Sequence, residues 1–268
     1  MRFDYHTHHT RCGHATGDIR DYIEAAIERG LTYIGISDHS PFFGEEADQF
    51  RPGIAMAKSE FPNYVREVLR LKEEYRGRIT VLLGVESDFF PEHAEIYREV
   101  YAAYPLDYII GSVHVSGGRS IFDRTRWEGI DDAGLLRDKE AHFRLVAESA
   151  RSGMFDILGH IDAIKGYRPD ISEVRTSVVD ETLRTIAEHD VAIEINTSGK
   201  GKSCGGWYPS FEILERACHF GVKPTFGSDS HTPERVADEF DEVRDVLKRI
   251  GFKEWAVFEQ RQRKMVAL

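Results

Sequence analysis

The chain has 268 residues, of which 41% are hydrophobic and 30% charged, enough for one α/β domain with a large core. Nowhere does an apolar run approach the roughly 18–20 residues that cross a bilayer, and the opening MRFDYH has neither the apolar core nor the cleavage site of a signal peptide. A formal net charge of −11 argues against broad nucleic-acid binding, and the three scattered cysteines (Cys12, Cys204 and Cys218) form no disulfide framework, so a cytoplasmic protein without membrane or nucleic-acid partners is expected.

In chain order, seven short runs rich in β-branched and aromatic residues read as strands: 2–6, 33–38, 79–86, 107–114, 155–160, 191–196 and 222–228. Several are apolar on both faces, as parallel strands in a covered sheet are. Between them, helical periodicity runs near 18–29, 58–76, 93–103, 131–152, 173–189, 209–219 and 233–249. Gly30, Gly153, Gly221 and Gly251 punctuate four of the helix ends. Regular alternation implies parallel pairing with right-handed crossovers. An open doubly wound sheet would leave some strand ends unused. Here six of the seven strands end in a candidate metal ligand, so the expected architecture is a distorted seven-stranded (β/α)7 TIM-like barrel with its site at the carboxyl face. With no linker, low-complexity tract or repeat, residues 1–268 read as a single domain.

The candidate ligands are His6, His8 and His14, then His39, Glu86, His114, His160, Asp229 and His231. His6 and His8 alternate along the first strand and so face the same side. Ser37-Asp38-His39, Gly84-Val85-Glu86, Gly111-Ser112-Val113-His114 and Gly159-His160-Ile161-Asp162 end the next four strands, and Gly227-Ser228-Asp229-Ser230-His231 ends the seventh. Each fragment alone is weak, since a histidine beside a strand end is commonly just hydrogen-bonded. Repetition at equivalent positions is the strong signal. Imidazole and carboxylate suit zinc, iron and manganese alike, and nine such groups exceed one four-coordinate site, so a multinuclear hydrolase centre is expected. His9 alternates away from the pair, Cys12 is expected to be inert, and His93, His142, His189 and His219 fall in helical segments and are expected at the surface.

Taken together, these motifs resemble the polymerase and histidinol phosphatase (PHP) superfamily, in the order His-x-His, Ser-Asp-His, Gly-x-Glu, Ser-Val-His, Gly-His-x-Asp and Gly-Ser-Asp-x-His, from Asp4 to His231. The resemblance implies a phosphoesterase with three divalent metal ions (zinc, iron or manganese). One would be held by His6, His8, Glu86 and Asp229, a second by Glu86, His114 and His160, and a third by His14, His39 and His231. Asp38, His39, Glu86, Asp229 and His231 are the expected catalytic group, in a reaction in which metal-activated hydroxide attacks phosphorus.

Ser37-Asp38-His39-Ser40-Pro41-Phe42, Ile121-Phe122-Asp123, Asn196-Thr197-Ser198-Gly199 and Tyr208-Pro209-Ser210 look like the histidinol-phosphatase branch, which cleaves L-histidinol phosphate. The expected partner is therefore a small phosphorylated substrate; alternatives are a nucleotide or another small phosphate ester, or an amidohydrolase-like reaction. Family members carry arginines after Gly-His-x-Asp and Asn-Thr-Ser-Gly; here Lys165 and Arg168 follow the first motif, and Lys200 and Lys202 the second. Lysine neutralises phosphate as a point charge but lacks the bidentate fork of arginine. Arg11, Lys165, Arg168, Lys200 and Arg235 are the candidate phosphate contacts. Asp38 and Asp162 are candidates to orient ligand imidazoles, and Phe42, Phe43, Trp127, Trp207 and Tyr208 to line the mouth.

Overall fold

The structure, a computed structural model, describes residues 1–268. Its strands are β1 (Phe3–Asp4), β2 (Tyr33–Ile36), β3 (Thr80–Leu83), β4 (Glu86–Asp88), β5 (Ile110–Ser112), β6 (Val115–Ser116), β7 (Arg119–Ser120), β8 (Ile157–Leu158), β9 (Ala192–Asn196), β10 (Lys223–Gly227), β11 (Glu254–Glu259) and β12 (Gln262–Ala267). Seven helices alternate with them: α1 (Ile19–Glu28), α2 (Phe61–Glu74), α3 (Ala94–Ala102), α4 (Asp132–Arg151), α5 (Val178–Glu188), α6 (Phe211–Phe220) and α7 (Phe240–Ile250). No helix is long and apolar enough to cross a membrane.

Local chemistry explains where the helices begin. Asp18 and Asp21 form a reciprocal capping box at α1, and Asp131 accepts from the Gly134 amide at the start of α4. Residues 173–177, expected to be helical, instead lie outside α5, which begins at Val178. Likewise α7 begins only at Phe240, after a short turn at Pro233–Arg235.

Two parallel sheets result, one ordered β1-β2-β3 and the other β10-β9-β8-β5-β4. The expected strand at 79–86 is divided: β3 pairs with β2, while β4 pairs with β5. Gly84 lies at this bend, where a Cβ would stand 2.2 Å from the buried ring of Tyr108, so only glycine admits that ring. Hydrogen bonds cross both gaps between the sheets. The Tyr5 amide donates to Phe226 O (3.2 Å) and the His8 amide to Ser230 O (2.9 Å), while the Glu86 amide donates to Ser37 O (2.9 Å). Buried Asp4 adds to the first of these, accepting from the Ser228 amide (2.9 Å) and the Ala237 amide (2.7 Å).

A core of 60 buried apolar residues runs through both sheets and the inner faces of the helices. Beyond the last expected helix, residues 254–267 form the antiparallel β11–β12 hairpin. Fully buried Trp255 anchors it, and Tyr5 Oη accepts from the Phe258 amide (2.6 Å).

Candidate metal centre

All nine expected ligands converge at the carboxyl ends of the parallel strands. Glu86 lies at the middle: its Oε2 is 2.8 Å from His39 Nδ1 and 3.4 Å from His6 Nε2. Its Oε1 is 2.9 Å from His160 Nε2 and 3.4 Å from His114 Nε2. Asp229 Oδ1 stands 3.0 Å from His8 Nε2 and 3.7 Å from His6 Nε2. His14 and His231 meet at the outer side, with their Nε2 atoms 2.9 Å apart.

The cluster is supported from behind by groups that fix ring orientation. His6 Nδ1 bonds Glu194 Oε1 (2.6 Å), His8 Nδ1 bonds Asp38 Oδ1 (3.2 Å) and His114 Nδ1 lies 3.1 Å from Asp88 Oδ1. Glu194 also accepts from the His160 amide (3.1 Å). Ser112 Oγ donates to Glu86 (2.6 Å), and Ser198 Oγ donates to Asp229 (2.8 Å). Asp38 therefore orients His8, and also His9 through Oδ2 at 2.9 Å. Asp162 makes no such contact; it accepts from Lys165 Nζ and the Ser210 amide, both at 2.8 Å.

Glu194 and Asp88 were missed in the sequence, though both carry a readable signal. Glu194 is a carboxylate within the apolar run Ala192–Asn196, and Asp88 follows Glu86 by two positions, hence on the same side of the strand. Gly227 makes the Glu194 contact geometrically feasible, since a Cβ there would stand 1.9 Å from Glu194 Oε1. Two ligand residues have left-handed backbone, His160 (φ 25°) and Asp229 (φ 52°). Such conformations disfavour a side-chain-bearing residue and concentrate at functional sites.

The donors fit divalent cations. His6 Nε2, His8 Nε2 and Glu86 Oε2 are buried and make close contacts with one another, Asp229 and His39 without a well-aligned hydrogen bond, a costly condition unless another species satisfies them. Burial opposes charge on His8, but the adjacent carboxylates of Asp229 and Asp38 outweigh it and hold its pKa up at about 9. Asp88 and Glu86 likewise overcome burial at His114, holding it at about 9. Against the opposing effect of burial, neighbouring histidines keep Glu86 and Asp229 well below the usual carboxylate range. Burial, reinforced by His8, pushes His231 down to about 3, so its ring is neutral and free to donate a lone pair. The rings of His8 and His114 would give up their protons on binding a cation, for which Glu86 and Asp229 are already ionised.

A cavity of about 680 Å³ opens over the cluster. Of the expected phosphate contacts, Arg235 lines it and four do not. Arg11 pairs with Glu67 (2.7 Å), Lys165 with Asp162, Arg168 with Asp170 (2.8 Å) and Lys200 with Glu239. Arg51 and Lys202 line the cavity instead. Arg51 lies over the rings of Phe42 and Phe50 (5.6 and 5.4 Å), and Lys202 over those of Phe122 and Tyr167 (5.6 and 5.7 Å). Phe42, Phe122 and Tyr208 supply aromatic wall, whereas Phe43, Trp127 and Trp207 lie elsewhere.

His142, expected at the surface, is buried within α4 and donates through Nε2 to Ile161 O (2.9 Å). His189 and His219 are exposed and His93 is half-buried. Cys12 is buried, and burial followed by the Asp38 charge pushes its thiol up to about 12.

A parallel α/β chain that gathers seven imidazoles and two carboxylates in one cluster has the donor set of a divalent-cation site. Residues 4–198 match the PHP domain, and the chain belongs to the PHP domain family. The "Probable histidinol-phosphatase" of Deinococcus radiodurans is 34% identical over 252 residues, covering 91% of this chain and 93% of that protein. The Bacillus subtilis histidinol-phosphatase is 30% identical over 249 residues, covering 85% of this chain and 92% of that protein. In fold, the chain is similar to the crystal structure of histidinol phosphate phosphatase from Lactococcus lactis, complexed with zinc, L-histidinol and phosphate (TM-score 0.81, 21% identity, 98% of each chain).

Proposed function

We propose that this chain is a metal-dependent histidinol-phosphatase, converting L-histidinol phosphate and water to L-histidinol and phosphate. The observation that carries the reading is the buried, incompletely satisfied set His6 Nε2, His8 Nε2 and Glu86 Oε2 beneath a cavity lined by cations and aromatic rings. Two relatives at 30% identity or more bear that activity in their names and match most of the chain.

In this reading three divalent ions, zinc, iron or manganese, would occupy the cluster: His6, His8, Glu86 and Asp229 would hold one, Glu86, His114 and His160 a second, and His14, His39 and His231 a third. When bound, such ions polarise phosphoryl oxygens and lower the pKa of water. The rest of the chemistry falls to this chain's own groups. Glu194, Asp38 and Asp88 keep His6, His8 and His114 in orientation and tautomer. Arg51, Lys202 and Arg235 counter the charge of the phosphoryl oxygens. Phe42, Phe122 and Tyr208 give an imidazole-bearing leaving group a surface on which to pack. Arg51 and Lys202 have no carboxylate partner, so they bind anion without first breaking an ion pair.

The same reading closes β1, β2, β3–β4, β5, β8, β9 and β10 into a distorted seven-stranded barrel forming one domain over 1–268. Support comes from the bridges Thr7–Ser230 and His39–Glu86 across the two gaps and from the continuous core. The free cysteines favour a reducing, cytoplasmic setting. Steady-state assay of L-histidinol phosphate beside adenosine monophosphate and a short 5′-phosphorylated oligonucleotide tests the substrate. L-Histidinol phosphate is expected to have the highest kcat/KM by roughly tenfold or more; a preference for either competitor would reassign the chain within its family.

A further inference from the structure

Of the carboxylates that hold the clustered imidazoles from behind, one differs in its setting. The side chains of Glu194 and Asp38, behind His6 and His8, are at most 1% exposed and do not reach the cavity. That of Asp88, behind His114, is 14% exposed and lines the cavity wall. Orienting a ring does not require a carboxylate there. His14 and His231 turn Nδ1 to the main-chain oxygens of Cys12 (3.4 Å) and Asp229 (3.0 Å).

Only one oxygen of Asp88 is engaged. Oδ1 accepts from the His114 amide and lies beside His114 Nδ1, both at 3.1 Å. Oδ2 has no hydrogen-bond partner in the protein, yet it is not sealed and keeps solvent-accessible surface. No lysine or arginine pairs with this carboxylate. The cations of the wall, Arg51, Lys202 and Arg235, suit an anion. A bare carboxylate among them repels a phosphoryl group and competes with it for the same cations. Such a group helps a phosphate-ester site only where the rest of the substrate is positive. Aromatic wall is close by, since the Phe122 ring stands 5.8 Å from the His114 ring that Asp88 holds.

We infer that Asp88 determines specificity at the metal centre, its free Oδ2 receiving the ammonium of an amino-alcohol phosphate whose phosphoryl group lies over the metal ligands. The inference rests on the histidinol-phosphatase reading and adds to it the group that recognises the amine. Position matches as well as sign. In L-histidinol phosphate the ammonium is borne by the carbon next to the phosphorylated carbinol, and in the site a single imidazole ring separates Asp88 from the inward Nε2 of His114. Nucleotides and phosphorylated nucleic-acid ends carry no ammonium at that position, so the same carboxylate opposes them.

Kinetics of the metal-loaded protein with L-histidinol phosphate and with imidazolylpropyl phosphate, the same ester without the amine, test it. The unsubstituted chain is expected to favour the amine by roughly tenfold or more in kcat/KM. Asp88→Asn keeps an acceptor for His114 but loses the charge, and is expected to erase that preference chiefly through KM. L-Phenylalaninol phosphate, which has the amine and no imidazole, is expected to lose as much as L-histidinol phosphate. Bound metal is counted in every sample. A role confined to orienting His114 would slow all three esters by one factor and leave the preference intact, which overturns the inference, as does a loss limited to the two imidazole esters. Where Asp88→Asn fails to fold or to hold metal, product inhibition of the unsubstituted chain decides. L-Histidinol is expected to inhibit at roughly tenfold lower concentration than imidazolylpropanol, and equal inhibition overturns the assignment. Absence of turnover with every ester at full metal occupancy overturns the substrate reading and the inference with it, whereas turnover without preference for the amine overturns the inference alone.

Discussion

Glu194 is a test of how far the metal centre depends on residues that touch no reacting atom. It holds His6 Nδ1 at 2.6 Å and the His160 amide at 3.1 Å, coupling two ligands on different strands. Glu194→Gln keeps the volume but weakens the charge-assisted bond, and is expected to lower metal affinity by roughly 10–100-fold. Competition with a chromogenic chelator measures this, and wild-type affinity would contradict the orienting role. Gly227→Ala is expected to act through the same contact, because the added methyl would meet Glu194. The nine clustered side chains were legible because imidazoles and acids recur at the carboxyl ends of parallel strands, which face one side of the molecule. The cations that line the cavity were less legible. Arg51 lies in a stretch without helical or strand periodicity, and nothing local marks it as facing the cavity, whereas Lys165 and Lys200 sat beside motifs yet found carboxylate partners. Arg51→Ala is expected to raise KM for the phosphate ester several-fold with metal content unchanged; an unaltered KM would remove it from the site.

The terminal hairpin shows how an element escapes a sequence reading. Strands β11 and β12 are joined by Gln260 and Arg261, both with left-handed backbone (φ 51° and 60°). Two-residue turns of this kind are ordinarily announced by Asn-Gly or Asp-Gly; here neither residue gives that signal. Tertiary contacts hold the turn instead, with the Gln260 amide donating to Asp107 Oδ1 (3.1 Å) and Arg261 paired with Asp156 (2.5 Å). Gln260→Asn, better suited to this backbone, is expected to raise unfolding stability by up to about 1 kcal/mol in urea titration. A loss would show that the Gln260 side chain matters more than the backbone preference. The strand at 79–86 carries a related lesson. Its composition marked it as a strand, but the exchange of partner from β2 to β5 depends on the Tyr108 ring filling the space beside Gly84, a contact formed only after the chain has folded.

At the scale of the whole molecule, acid sensitivity follows from a histidine that serves no catalytic purpose. Burial lowers the pKa of His142 from 6.5 to about 4, and Nε2 donates to Ile161 O while Nδ1 has no partner. Between those pH values the unfolded chain takes up a proton that the folded chain refuses. Stability from this residue is therefore complete above about pH 6.5 and declines toward pH 4, by roughly 1.4 kcal/mol per unit. His142→Gln, which retains a donor, is expected to flatten the pH dependence of unfolding free energy in that window relative to the parent chain. An unchanged slope would mean that the imidazole is not buried in its neutral form.

Assembly of a cation-binding hydrolytic centre from dispersed strand ends is open to one decisive measurement. It is tested most directly by stripping the protein with a chelator and titrating a divalent metal back while counting bound ions and following L-histidinol phosphate turnover in the same samples. Turnover is expected to vanish with the metal and to return as about three ions per chain are restored. Full hydrolysis by the stripped protein, or full metal occupancy in the Glu86→Ala variant, would contradict the account.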